Sequence, residues 1–243
     1  MSLATFRVHG ELCAFLPRER RGATFAQACA RAATLKQAIE AAGVPHTEIG
    51  HLTVSAQPAS LARTVREGDA VEVFPHEPGG APFETPLRFL ADAHLGGLAR
   101  MLRMLGLDAA FDPALDDAAI VELASAEHRV VLTRDRALLM RRDVLRGAFV
   151  HARKPEEQLR EVTRRYAIAE HMRPFALCLH CNLELSPAGP DLVRQYVPER
   201  IQTQYRTFMH CAGCGRVYWE GSHWERMRSV LASVLDVPLA HMG

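Results

Sequence analysis

Four cysteines stand in two C-x-x-C pairs, C-L-H-C at 178–181 and C-A-G-C at 211–214, with 29 residues between them. Tetrahedral zinc takes four ligands, and each pair offers two sulfurs from one tight turn. Gly213 and Gly215 favour such a turn around the second pair. The expected ligand set is therefore Cys178, Cys181, Cys211 and Cys214. Four thiolates close the coordination sphere, so the ion's expected role is structural. Residues 172–243 hold both tryptophans and three of the four tyrosines but no long apolar run, the usual setting for a stabilising metal. His180, His210 and His223 lie close by in sequence, as exposed residues or as groups around the metal or substrate. Cys13 and Cys29 are isolated, and without a secretion signal, paired C-x-x-C reads as a zinc site rather than a disulfide framework.

With 48% hydrophobic and 23% charged residues, the 243-residue chain is too apolar for wholesale disorder and long enough for two or three small domains. No apolar run reaches the roughly 18 residues of a membrane helix. The opening MSLATFRVHG has no signal-peptide pattern, so a soluble cytoplasmic protein is expected. Net charge is +1, which excludes recognition of nucleic acid by overall basicity alone.

Three segments differ in pattern. Residues 1–77 read as a small α/β unit: an alternating strand near Phe6–Gly10, a helix over 32–42 and strands at 52–54 and 70–75. The closing R-E-G-D-x-V-E-V-F-P stretch resembles ubiquitin-like β-grasp domains of the sulfur-carrier kind. Those carriers end in a free Gly-Gly carboxylate, whereas Gly79-Gly80 here runs on into the chain, so that chemistry is blocked without cleavage. Residues 78–86 have the composition of a flexible linker. Residues 87–171 alternate strand and helix, which predicts a parallel sheet flanked by helices. Residues 172–243 make the zinc ribbon and a closing helix near 222–235.

In a parallel sheet, ligands bind outside the carboxyl ends of the strands. Asp92 and Asp135 each follow an apolar strand, and Asp117 opens a helix on the face shared with Ile120, Val121 and Ala124. Clustered carboxylates suit a hard cation such as Mg2+ or Mn2+. Residues 84–127 carry eight acidic and three basic side chains, whereas 128–165 carry eleven basic and five acidic. An acidic metal site beside an arginine-rich flank (Arg134, Arg136, Arg141, Arg142, Arg146, Arg153) suits a phosphodiester. Arg100 and Arg103, on the first helix of this segment, join the candidate set for binding such a phosphodiester backbone. Tyr196, Tyr205, Phe208, Tyr218, Trp219 and Trp224 either stack bases or form the small core of the ribbon.

The stretches F-L-A-D-A-H-L-G-G-L-A-R-M-L-R-M-L-G-L-D, D-D-A-A-I-V-E-L-A, R-V-V-L-T-R-D-R-A-L-L and C-x-x-C-G-R-V-Y-W-E-G-S-H resemble the Mut-seven C-terminal ribonuclease family. The resemblance implies a PIN-like nuclease fused to a zinc ribbon, with a ubiquitin-like domain in front. It further implies RNA as substrate, divalent metal on Asp92, Asp117 and Asp135, and a fourth acid, for which Asp143, Asp116 and Glu122 are the candidates. The expected function is metal-dependent hydrolysis of RNA. The alternatives are a non-catalytic RNA-binding protein, or an adaptor whose ubiquitin-like domain docks a protein partner.

Overall fold

The computed structural model describes residues 1–235 apart from Ala167. The last eight residues of the expected ribbon segment fall outside the described set. Strands β1 (Ser2–Val8), β2 (Thr24–Cys29), β3 (Ile49–Val54), β4 (Gln57–Pro58) and β5 (Ala70–Pro75) form one sheet in the order β2-β1-β5-β3-β4. The central pair β1 and β5 is parallel and the other pairings are antiparallel, which is a β-grasp arrangement. Alternation does the work: Ala4, Phe6 and Val8 of β1 and Val71 and Val73 of β5 face inward. Helix α1 (Leu35–Ala42) covers them with Leu35, Ala38, Ile39 and Ala42. A reciprocal Thr34–Gln37 capping box starts α1, and Gly43 at φ 112° ends it. Strand β2 is absent from the sequence expectation because its T-F-A-Q-A-C run buries only one residue fully.

The second sheet comprises β6 (Arg88–Ala91), β7 (Asp108–Phe111), β8 (Val130–Thr133) and β9 (Gly147–Phe149), all parallel, in the order β7-β6-β8-β9. Helices α2 (Gly96–Met104) and α5 (Pro155–Arg165) pack on one face. Helices α3 (Asp117–Ala126) and α4 (Arg136–Leu139) pack on the other. Both faces are thus covered, and Phe89, Leu90 and Val131 have no exposed surface. The last segment adds α6 (Pro190–Tyr196), α7 (Glu199–Gln204) and a small antiparallel sheet of β10 (Ser186–Pro187), β11 (Met209–His210) and β12 (Val217–Tyr218). Helix α8 (Ser222–Leu235) returns to the larger domain, burying Leu231, Ala232 and Val234 in its core. No described helix is long and apolar enough to cross a membrane.

Residues 78–86 depart from the flexible linker their composition predicts. Gly79 N donates to Arg164 O at 2.9 Å, Ala81 N donates to Arg165 O at 3.3 Å, and Ala81 is buried. The chain is held against the end of α5. The same place joins the two sheets. Glu48, 2% exposed, accepts from Phe149 N at 2.9 Å and from Arg165 Nη1 at 2.7 Å, while Arg165 Nη2 donates to Thr47 O and Gly147 O. His46 contacts Val144 O at 2.9 Å through Nε2, and Phe15 meets Phe149 edge-on. The β-grasp domain therefore covers edge strand β9 and occupies hydrogen-bonding groups that an open edge would leave bare.

His76 sits at this junction, donating to Thr47 O at 3.1 Å. Burial, with the Arg165 charge beside it, pushes the imidazole down to about 4. Between an unfolded value near 6.5 and about 4, the unfolded chain takes up a proton that the folded chain refuses. Stability from this group is fully present above 6.5 and falls as pH drops through that window. Thermal melts from pH 7 to 4 should show this acid sensitivity, and His76→Gln should flatten it. An unchanged pH profile in the variant would show that other groups carry it.

Candidate active site

The strand order places a topological switch between β6 and β8, where the crossovers leave to opposite faces and a crevice opens at the carboxyl edge. Asp92 ends β6 there and Asp135 lies just beyond β8. One side chain links them. Thr133, fully buried at the end of β8, donates from Oγ1 to Asp92 Oδ2 at 2.7 Å and accepts from Asp135 N at 2.9 Å. Ala93 N donates to Asp92 Oδ1, and Ala137 N donates to Asp135 Oδ1 at 2.7 Å. Both carboxylates are thereby held in defined orientations. The sequence pattern assigns Thr133 no role. The available signal was a hydroxyl closing an otherwise apolar strand, V-V-L-T.

Asp117 is exposed on the first turn of α3, below the buried Ile120 and Val121. Its charge, with that of Asp116, acts on Arg141, whose guanidinium is raised chiefly by its hydrogen bond to Asp143. Asp117 and Asp116 thus lie within electrostatic reach of the Arg141–Asp143 pair. Asp117 does not join Asp92 and Asp135 in a compact cluster. Among the described residues, the only group of three or more such side chains close enough to share an ion is the four cysteines. Of the fourth-acid candidates, Asp116 is the helix cap, accepting from Ala119 N at 2.8 Å. Asp143 pairs with Arg141, which lowers its carboxyl below the usual range. Glu122 is exposed on α3.

The candidate arginines divide. Arg103 is buried and unavailable to RNA: Nε donates to Ala109 O at 2.9 Å, and Nη1 donates to Leu179 O and His180 O at 3.1 and 2.9 Å. The helical stripe of Leu98, Ala99 and Leu102 concealed this, because a long arginine within it reads as a surface residue. Arg134 is tied to Ala152 O and His151 O, just beyond neighbouring β9, and Arg146 pairs with Glu84. Arg100, Arg136, Arg142 and Arg153 are exposed. A cavity of about 420 Å3 lies between the β-grasp domain and α5, lined by Glu48, His76 and Arg165.

The cysteine centre is built by two turns. Asn182, at φ 63°, turns the chain after the first pair so that Cys178 N meets Leu183 O at 2.7 Å. Gly215, at φ 69°, does the same after the second, with Cys211 N on Arg216 O at 3.0 Å. All four sulfurs lie within 4.8 Å of one another, and Cys178 and Cys214 are 3.7 Å apart. A tetrahedral ion with bonds of about 2.3 Å sets sulfurs roughly 3.8 Å apart. The four thiols fit such an ion. Tyr218 OH is 3.1 Å from Cys178 Sγ, and burial together with this contact pushes the phenol up.

With this geometry in hand, the profile of the Mut7-C RNAse domain matches residues 87–231. The chain belongs to the Mut7-C RNAse family. The Mut7-C ubiquitin profile matches residues 1–79, the β-grasp sheet. No curated protein and no solved structure matches the chain. Within the Mut7-C RNAse match lie both strand-end aspartates, Thr133, Asp117 and all four cysteines. The metal centre of this Mut7-C chain is fastened to the sheet from behind. Asn182 Nδ2 donates to Asp108 Oδ1, Ala109 N donates to Asn182 Oδ1, and Arg129 forks onto Asp108 at 2.6 and 3.1 Å. Asp108 begins β7, so the first cysteine turn docks at the amino edge of the sheet, opposite the carboxylate crevice.

Proposed function

We propose that the chain is a PIN-like ribonuclease that hydrolyses RNA phosphodiester bonds with Mg2+ or Mn2+ at Asp92, Asp135 and Asp117. The supporting observation is the pair of strand-end carboxylates tied through Thr133 at the switch point. Their all-oxygen donor set fits a hard cation. Such a cation, when bound, lowers the pKa of water and offsets charge on the attacked phosphate. The residues supply the rest. Thr133 and the Ala93 and Ala137 amides hold the carboxylates in fixed orientations, so little reorganisation is needed when the phosphate arrives. Arg134, pinned to the β9–α5 loop, fixes the crevice wall, and Arg136, Arg142 and Arg100 would neutralise phosphates along the strand. Asp143 is the favoured fourth acid, because its partner Arg141 lies within electrostatic reach of Asp117 and it does not serve as a helix cap. The cysteine centre would hold zinc as a structural ion, and the domain layout would be 1–77, 78–86, 87–171 and 172–243.

The test is cleavage of end-labelled RNA by the full chain with Mn2+, with chelator, and with Mn2+ restored. Cleavage that follows the metal supports the reading. That Asp117 is not grouped with the other two carboxylates favours a second reading, in which the fold binds RNA without cutting it. RNA binding with no cleavage under any divalent metal would select that one. Within the first reading, Thr133→Val removes the shared hydroxyl at nearly constant volume. It should cost roughly 10–100-fold in cleavage rate while melting stays near wild type, since groups that orient ligands carry effects of that size. Full activity in Thr133→Val would remove the hydroxyl from the mechanism.

A further inference from the structure

The β-grasp domain meets the nuclease sheet beside the proposed site. Arg136, the residue after Asp135, donates from Nη1 to Phe15 O at 3.2 Å. The Phe15 ring rests against Phe149 and His151, at the carboxyl end of β9. From the other side, Arg21 reaches back to the same three-residue segment. Its Nε donates to Leu16 O at 2.9 Å and its Nη2 donates to Ala14 O at 3.1 Å. Two guanidinium groups, one from each domain, are thus held on consecutive carbonyls of Ala14, Phe15 and Leu16. Two residues of extended chain plus two hydrogen bonds limit their separation to roughly 13 Å.

The segment that follows is basic. Residues 14–23 contain Arg18, Arg20 and Arg21 against the single acid Glu19. Arg18 and Arg21 are exposed, and neither forms an ion pair among the described residues. Arg20 lies over the Phe25 ring, 4.7 Å from its centroid. Arg21 is held by two neutral carbonyls, so its charge is uncompensated while its position is fixed. An arginine fixed this way is preorganised for an anion, with less side-chain entropy to lose on binding.

We propose that Arg18 and Arg21 of the β-grasp domain bind the RNA backbone and, with Arg136, continue the substrate path outward from Asp135. The proposal rests on the ribonuclease reading above and deepens it. The ubiquitin-like domain becomes part of the substrate surface, and the partner it meets on this face is a polyanionic strand. A protein partner on the same residues is the competing outcome.

The experiment measures anisotropy of a fluorescent single-stranded RNA with the zinc-loaded full chain, carrying Asp92→Asn so that the RNA stays intact, across a salt series. Arg18→Ala with Arg21→Ala should weaken binding roughly 10-fold at 0.1 M salt and lower the slope of log K against log salt by about 1.4, as for two lost single-strand phosphate contacts. Replacing both by Lys should recover most of the slope, which a purely structural role would not predict. If melting shows the double variant unfolded, the exposed Arg18→Ala alone should lower the slope by about 0.7. Arg31→Ala, on the β2–α1 connection, is the control and should leave binding unchanged. Binding and slope equal to the parent in the arginine variants would overturn the proposal, leave the ribonuclease reading standing and free the patch for a protein. A parent chain that binds no RNA would overturn both.

Discussion

Cys178→Ser combined with Cys181→Ser is expected to yield protein without zinc by elemental analysis, against one zinc per chain in the wild type. The loss should be structural and local. Strands β10, β11 and β12 have two residues each, and the buried apolar groups around them are few: Leu177, Val197 and Phe208 beside Cys178 and Cys211. Such a unit draws its folding free energy from the metal, on the order of 10 kcal/mol for small zinc domains. Helix α8 is different, because Leu231, Ala232 and Val234 belong to the core of the larger domain. Limited proteolysis of the double variant should therefore open new cuts between about 178 and 220 and spare α8. Retained zinc, or an unchanged digestion pattern, would show that the four thiols do not form the site.

Asp92→Asn and Asp135→Asn should each lower metal-dependent RNA cleavage by at least about 10³-fold, with folding and RNA binding preserved. The substitution keeps shape and removes one negative charge, and the new amide still accepts from Thr133 or from Ala137 N. Binding is expected to hold or tighten, because a carboxylate pair without its cation repels phosphate. Residues that share one ion act as a unit, so the double variant should be scarcely slower than either single one. Additive losses would mean that the two carboxylates work separately. Asp117→Asn tests the third position, which is not grouped with the other two among the described residues.

Much of this site was legible in the sequence because it depends on periodicity. Apolar strands ending in aspartate, and helices with one apolar stripe, locate Asp92 and Asp135 at one sheet edge without any tertiary information. The C-x-x-C spacing locates the metal centre equally well. The unread parts are those where a polar group is satisfied by something distant in sequence. Arg103 looked like a surface cation until carbonyls 76 and 77 residues away proved to be its partners. Glu48 gives no local sign that it will pair with Arg165, 117 residues on, and serve an edge-strand amide. The Gly-Gly segment read as loose for the same reason, since its hydrogen bonds go to the last turn of α5. Burying Glu48 with Arg165 also makes the domain junction costly to break, because removing one partner strands the other's charge.

Metal-dependent hydrolysis at Asp92 and Asp135 requires a second divalent ion there, besides the one at the cysteines. That can be measured as Mn2+ uptake by the zinc-loaded full chain, followed by electron paramagnetic resonance, in the wild type and in Asp92→Asn and Asp135→Asn. Saturable Mn2+ binding in the wild type, weakened at least about tenfold in each variant and lost in step with RNA cleavage, is the expected result. Equal Mn2+ affinity in all three proteins, or cleavage that persists in the variants, would contradict it.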